Sequence, residues 1–472
     1  MKLITILFSL PTMAAVISLI LGSATAEPKK PNFLIILADD LGSGDLSCTG
    51  STQINTPHID SIAAGGALCT QGYTAAPVCA PSRCGLMTGK SPAMIGNDMN
   101  LGPNLDGMDP EFHGLNVKEK TMADRLKALG YTTAVVGKWH LGEKEQFQPA
   151  QRGFDIFHGF LSGGRDYFAQ NKGNGGAREI QSTLGEVPEV TYLTDDLTDA
   201  GIKIIEQCKD EPFFLFMSYN APHTPMQATK EDLALYEYVE NKKRRTYCAM
   251  VHGLDRGVGR LLESLKVNGV DQNTLVVFMS DNGGASSNSS CNAPLRAAKG
   301  TLLEGGVRTP FLVSWPGVIT PGTIIESPVS ALDWMPTFIH AAGGSVSEKD
   351  GLDGLDLVGV LSGKVKEPAP RDLYWRFHGV NMMRSGDLKI IDRANALPWV
   401  FDLSKDPGEQ NDLFKARLEE ADSLKRKLGD WVLEVPHPLY WEGDNWAKIQ
   451  AKAYEKSEAA KQPADHAPSA HQ

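Results

Sequence analysis

Asn32-Phe-Leu-Ile-Ile-Leu-Ala38, running into Asp39-Asp40-Leu41-Gly42, is the stretch whose reading decides the fold. An uncharged apolar run of strand length that ends in polar residues and glycine reads as a strand buried on both faces, as in a parallel sheet. The pattern recurs three times. Thr132-Thr-Ala-Val-Val136 leads into Gly137-Lys138-Trp139-His140, and Phe213-Phe-Leu-Phe-Met217 into Ser218-Tyr219-Asn220-Ala221-Pro222-His223. Leu275-Val-Val-Phe-Met279 leads into Ser280-Asp281-Asn282-Gly283. Amphipathic helical patterns lie between them, at Lys120 to Leu129, Leu193 to Gln207 and Lys243 to Leu265. Strands alternating with helices predict an α/β fold with a large, mostly parallel sheet sandwiched by helices. Ligands of such sheets bind outside the carboxyl ends of the strands. All four strand ends here carry Asp, Asn, Lys or His.

Four segments follow from texture. Lys2, the apolar run Leu3 to Leu21 and Ala24-Thr25-Ala26 make residues 1–26 a signal peptide. Residues 27–370 form the main domain, closed by the linker Pro368-Ala369-Pro370. Residues 371–447 predict a small antiparallel sheet, with strands at Leu373–Phe377, Leu388–Ile391 and Trp399–Leu403 and a packed helix from Leu413 to Leu433. Residues 448–472 read as a polar tail, frayed or disordered. No later apolar run is long enough to span a bilayer, so the expectation is a periplasmic or secreted protein, without stable membrane insertion once the signal is removed. The formal net charge of -11 argues against nucleic acid as the partner. It leaves an anionic substrate open, because a local cluster of cations makes a positive pocket in an acidic protein.

The carboxylates suggest chemistry. If the ends of the first and last of the four strands are neighbours, Asp39, Asp40, Asp281 and Asn282 meet at one point. Three carboxylates together repel unless cations hold them. All-oxygen ligation favours Ca²⁺ or Mg²⁺ over zinc, and flexible ligation with few waters favours Ca²⁺. Turn and helix-cap chemistry is the plainer reading of either pair alone. The cations Lys138, Lys299 and Arg83 suit an anion, and His140 and His223 suit proton transfer. Seven cysteines leave at least one unpaired or modified, and Cys79 is the candidate. It stands in Pro77-Val-Cys-Ala-Pro-Ser-Arg-Cys-Gly-Leu-Met-Thr-Gly89, with Arg83 about one helical turn later. Sulfur is a poor ligand for a hard cation.

That string resembles the signature of type I sulfatases, the formylglycine-dependent family of the alkaline-phosphatase-like superfamily. Asp39-Asp40-Leu41-Gly42, Thr56-Pro57-His58-Ile59-Asp60, Gly137-Lys138-Trp139-His140-Leu141-Gly142, Arg152-Gly153-Phe154-Asp155 and Lys299-Gly300-Thr301 to Pro310 are similar to family blocks in the same order. The resemblance is greatest to bacterial polysaccharide and aryl sulfatases. It implies that 27–370 is a sulfatase catalytic domain and that a formylglycine-generating enzyme converts Cys79 to 3-oxoalanine. It implies one Ca²⁺ per chain, held by Asp39, Asp40, Asp281, Asn282 and residue 79. Arg83, Lys138, His140, His223 and Lys299 fall on positions that bind sulfate or move protons. One hydroxyl of the aldehyde hydrate attacks sulfur, and deprotonation of the second expels sulfate. On this reading His223 or Lys299 protonates the leaving alkoxide, and His140 is the base.

The expected reaction is hydrolysis of a sulfated carbohydrate. Asn97-Asp98-Met99-Asn100 and Gly163-Gly164-Arg165-Asp166-Tyr167 resemble sugar-pocket loops of bacterial relatives. Asp98, Asn100 and Arg165, with Arg376 and His378 from the C-terminal part, are therefore the candidate sugar contacts. Two alternatives stand beside this reading. One is a phosphoester or phosphonate hydrolase of the same superfamily, the other a non-catalytic protein that binds sulfated glycans.

Overall fold

The structure, a computed structural model, describes residues 29–102, 109–168, 176–187, 189–394 and 396–459. The expected signal peptide lies outside the described residues. Among them no helix is long and apolar enough to cross a membrane.

The central sheet has ten strands. They are β1 (Asn32–Ala38), β2 (Ala67–Tyr73), β3 (Thr132–Lys138), β4 (Ile156–Phe160), β5 (Gln181–Ser182), β6 (Phe213–Ser218), β7 (Thr274–Ser280), β8 (Arg308–Ser314), β9 (Thr323–Ile325) and β10 (Val329–Ser330). Their order in space is β10-β2-β8-β7-β1-β6-β3-β4-β5, with β9 paired to β2. β7, β1, β6, β3 and β4 run parallel. β8 is antiparallel to both of its neighbours, β7 and β2.

β1 shows why an unbroken apolar run needs helices on both faces. Side chains alternate across a strand. Phe33, Ile35 and Leu37 enter one core, with helices Cys79–Thr88, Met122–Ala128 and Trp334–Ala341. Leu34, Ile36 and Ala38 enter the other, with helices Pro57–Ala64, Leu193–Cys208 and Lys242–Val267. Burying each large apolar side chain contributes roughly 1.5–3 kcal/mol, against a backbone ordering cost of roughly 1–2 kcal/mol per residue.

Register then fixes the level at which the chain leaves the sheet. Ala38 lies opposite Ser280, Leu37 opposite Ser218, and Gly137 opposite Ser218. Lys138 and Tyr219 therefore emerge level with Ala38, and Asp39 and Asp281 together one residue further along the same edge.

The C-terminal part is a four-stranded antiparallel meander of β11 (Asp372–Phe377), β12 (Val380–Ser385), β13 (Leu388–Arg393) and β14 (Trp399–Asp402). β12 was not among the expected strands; its Asn, Met, Met and Arg lack strand-like apolar texture, and cross-strand pairing makes it one. Met383, Ile390 and Val400 on one face pack against helix Leu418–Glu434. Trp375, Phe377, Met382 and Ile391 on the other pack with Leu302, Leu303 and Tyr454. The expected tail from residue 448 is helical where it is described. As far as residue 459 it belongs to helix Asn445–Ala459, anchored by buried Tyr454 and Gln450. Residues 460–472 lie outside the described set.

A buried charge cluster joins the two parts. Lys389 Nζ lies 2.8 Å from both Glu304 and Glu409, and all three side chains are fully buried. Tyr73 Oη donates to Glu304 at 2.6 Å, and Glu409 accepts from the Glu304 N–H at 2.7 Å. Burial pushes the Glu409 carboxyl up to about 7, against the pull of Lys389. Removing one partner leaves buried charge uncompensated. Lys389→Met is expected to destabilise the protein by about 3–5 kcal/mol, read as a lowered denaturation midpoint; a loss near zero would refute the cluster's role in holding the parts together.

Candidate active site

Four strand ends and one helix start supply the site. Asp39 and Asp40 follow β1, Asp281 and Asn282 follow β7, Lys138 closes β3 and Ser218 closes β6. All six are buried. Cys79 is the first residue of helix Cys79–Thr88, and Arg83 stands one turn further on.

Each carboxylate has its own cation. Arg83 Nε donates to Asp281 Oδ2 at 3.0 Å, and its Nη2 lies 2.9 Å from the same oxygen. Its Nη1 donates to the Lys138 carbonyl at 3.1 Å and to Ser218 Oγ at 2.5 Å. Lys138 Nζ donates to Asp39 Oδ2 at 2.6 Å. Lys299 Nζ donates to Asp40 Oδ1 at 2.6 Å and to Cys79 Sγ at 3.0 Å. The thiol in turn donates to Asp39 Oδ1 at 3.5 Å.

Asp40 adopts a left-handed backbone, φ 65°, which Asp tolerates better than most residues. In this turn its N–H donates to Asp281 Oδ1 at 3.2 Å, and its Oδ1 accepts from Asn282 Nδ2 at 2.7 Å. Asn282 Oδ1 remains, buried and accepting no hydrogen bond. A buried amide oxygen without a donor, beside three carboxylates, is a donor set for a hard cation. Ligating atoms of Asp39, Asp40, Cys79 and His223 lie within 4.8 Å of one another.

Burial would raise every carboxyl here. For Asp39 it is outweighed by Lys138, His223 and Arg83, and for Asp40 by Lys299 and His223, so both sit below the usual carboxylate range. Burial and repulsion from Asp39 win at Asp281, which is raised despite Arg83. The Cys79 thiol is pushed up to about 12 by burial, although Lys138 and Lys299 oppose it. At neutral pH it is a protonated thiol and a weak nucleophile. Burial works against the Lys299 ammonium, but Asp40 and Cys79 raise it well above its ordinary value.

Above these groups opens a cavity of about 930 Å³, lined by Cys79, Asn100, His140, Arg165, His223 and Lys299 among others. The His140 ring Nε2 lies 2.8 Å from the Leu101 carbonyl, which only accepts, so this nitrogen carries hydrogen and Nδ1 is the basic one. His223 Nδ1 is 2.6 Å from the Thr224 carbonyl by the same logic, leaving Nε2 toward Asp40 Oδ2 at 3.7 Å. Gly163 is required beside His140, because an added Cβ would lie 2.7 Å from its Nε2.

The expected sugar contacts divide. Asn100 and Arg165 line the cavity. Asp98, Arg376 and His378 are not among its lining residues and are engaged with other partners: Arg376 Nε donates to Asp98 at 2.6 Å, and His378 Nε2 lies 2.9 Å from Glu442. Glu442 also accepts from the Asn100 N–H at 2.9 Å, which ties that pair to the cavity's edge. The residues that sequence reasoning missed here include His113, Arg178 and Trp446 in the lining and Glu442 behind it. Trp446 lies just ahead of a stretch read as a frayed tail, and nothing in its surroundings marks it as a site residue.

Comparison with known proteins agrees with this geometry. Residues 31–345 match the family model described as Sulfatase, and residues 298–435 that described as N-sulphoglucosamine sulphohydrolase, C-terminal. Arylsulfatase A of Homo sapiens is 32% identical over 452 residues, which span 84% of this chain and 85% of that protein. Arylsulfatase J of Mus musculus is 33% identical over 354 residues, spanning 73% of this chain and 58% of the relative's length. A crystal structure of Ps i-CgsB in complex with k-i-k-neocarrahexaose aligns with a TM-score of 0.81 at 34% identity, covering 91% of this chain and 98% of that one.

His140 yields a pH prediction. Burial first, and Lys138 second, hold its imidazole well below the ordinary histidine range. It should stay neutral as pH falls through about 6.5, where an exposed histidine is half protonated. The unfolded chain takes that proton first, so this residue's share of stability is lost as pH drops below about 6.5. NMR titration of the His140 ring checks it; a midpoint at or above 6.5 would contradict the assignment.

Proposed function

This chain belongs to the sulfatase family, enzymes that hydrolyse sulfate esters, and we propose that it removes sulfate from a sulfated carbohydrate by way of a formylglycine formed from Cys79. The observation that carries this reading is the company the thiol keeps. The Cys79 sulfur marks the place of the hydroxyl oxygens of an aldehyde hydrate, in contact with Lys299 and Asp39. A buried thiol with its proton held to about pH 12 has no evident use among six charged side chains. An oxidised one does: formylglycine supplies a nucleophilic hydroxyl for attack on sulfur and a second hydroxyl through which sulfate is released. Conversion requires a formylglycine-generating enzyme during production, before burial closes over residue 79. Export, to the periplasm or beyond, belongs to the same reading.

A hard divalent cation, Ca²⁺ in this proposal, suits Asp39, Asp40, Asp281 and Asn282, and would supply charge against sulfate oxygens. The protein's own residues do the rest. Lys138 and Lys299 stabilise negative charge that develops on the sulfuryl group. Arg83 grips Asp281 and the β3 and β6 ends, and so fixes the helix that presents residue 79. His223, its Nδ1 hydrogen committed to Thr224, presents Nε2 to the cavity, where as imidazolium it gives a proton to the departing alkoxide. Neutral His140 offers Nδ1 as a base.

The carbohydrate assignment rests on the size and polar lining of the cavity and on k-i-k-neocarrahexaose, the ligand named for the Ps i-CgsB structure. In Cys79→Ala, expected to fold normally, release of sulfate should fall by about a thousandfold or more; substantial turnover would end the mechanism. Asp281→Ala should lose bound Ca²⁺, measured as metal content of the purified protein. Unchanged content would remove Asp281 from the ligand set.

A further inference from the structure

Trp446 shares the cavity with Cys79 and Lys299. Lys299 Nζ lies 5.8 Å from the indole centroid and 3.0 Å from Cys79 Sγ, so the ring stands one side chain away from the reacting position. Gly300 lets it come that close. With φ 83° and no Cβ, Gly300 leaves space in which an added Cβ would lie 2.6 Å from the indole Cζ3.

The ring does not stand alone. Its centroid lies 6.3 Å from Phe377, which meets His378 at 4.7 Å, and His378 meets Trp441 at 5.2 Å. Trp446 is half-buried, whereas Trp441, at the far end of this aromatic run, is 44% exposed. The chain on either side of Trp441 is held at three points. The Leu439 N–H donates to Gly96 at 2.8 Å, Tyr440 Oη to Met99 at 2.9 Å, and Glu442 bridges Asn100 and His378. Two indoles are thus mounted on a rigid wall, one inside the catalytic cavity and one at water.

We propose that Trp446 and Trp441 form a platform for a sugar chain on the leaving-group side of the ester, a proposal that rests on the carbohydrate reading above. A pyranose has apolar C–H faces and polar edges, which match a flat indole that is apolar in body and hydrogen-bonding at one end. Tryptophan offers that area with only two side-chain torsions to immobilise. Trp446 positions the sulfated ring beside Lys299, and Trp441 receives a sugar further along the chain. The favoured substrate is therefore an oligo- or polysaccharide rather than a lone sulfated monosaccharide.

The test uses matured full-length protein and a di-, tetra- and hexasaccharide series from a sulfated galactan. For the wild type, kcat/KM should rise with chain length. Trp446→Ala should lower kcat/KM about tenfold at every length, mostly through KM, with Trp446→Phe restoring most of it. Trp441→Ala should flatten the rise, losing about tenfold more on the hexasaccharide than on the disaccharide. A Trp441→Ala profile parallel to wild type, or Trp446→Ala within twofold of it, overturns the platform. If Trp446→Ala unfolds early in a thermal melt, the exposed Trp441 carries the test by itself. A wild type that turns over p-nitrophenyl sulfate but releases nothing from any sulfated saccharide overturns the carbohydrate reading, and the platform with it.

Discussion

Three carboxylates are buried at one edge of one sheet, and much of the molecule is arranged to make that tolerable. Taking an ion out of water costs several kcal/mol even after relaxation, and Asp39, Asp40 and Asp281 repel one another besides. Each is met by a cation of separate origin: Lys138 from the end of β3, Lys299 from the loop after β7, and Arg83 from the helix that begins at Cys79. The formal charges balance, three against three. A divalent cation added to this set leaves a surplus of positive charge, which an anionic sulfate ester can meet. The same pairs that make the edge stable therefore make it selective for anions, in a protein whose net charge is -11.

This constraint explains what was legible in the sequence. A strand buried on both faces must be apolar throughout, so β1, β3, β6 and β7 announced themselves, and the polar residues that break each run had to lie at the sheet edge. Parallel register then brought the ends together. The ten residues expected to carry metal or chemistry do converge: Asp39, Asp40, Lys138, Asp281 and Asn282 sit at or just beyond the ends of strands with strong apolar runs, and helix Cys79–Thr88 and the loop after β7 bring Arg83 and Lys299 to them. What remained hidden depended on long-range pairing. β2, β8 and β12 are strands because of their neighbours. The pairing of Arg376 with Asp98 and of His378 with Glu442, among residues expected as sugar contacts from a resemblance, is likewise encoded by no local pattern.

The C-terminal part is less an appendage than a brace. Trp375 Nε1 donates to the Thr74 carbonyl at 2.8 Å, five residues ahead of Cys79. The Gly300 N–H donates to the Pro77 carbonyl at 2.9 Å, which ties the Lys299 loop to the turn that presents residue 79. Glu304, at the other end of that loop, is held by Lys389, and its N–H is capped by Glu409. Chemistry of this kind depends on charges held within about half an ångström of their working positions. The braces supply that rigidity from outside the parallel sheet.

One consequence concerns how such a scaffold can change its substrate. The residues paired around Cys79 cannot vary freely, because each buried charge depends on its partner. The wall formed by residues 437–446 is bound differently, by the Leu439 N–H to the Gly96 carbonyl, by the Tyr440 hydroxyl to the Met99 carbonyl and by Glu442. Side chains at Trp441 and Trp446 can differ without unpairing a buried ion. On the proposed platform, selectivity for the sugar is therefore separable from chemistry at sulfur: one would be written in the C-terminal wall, the other in the strand ends.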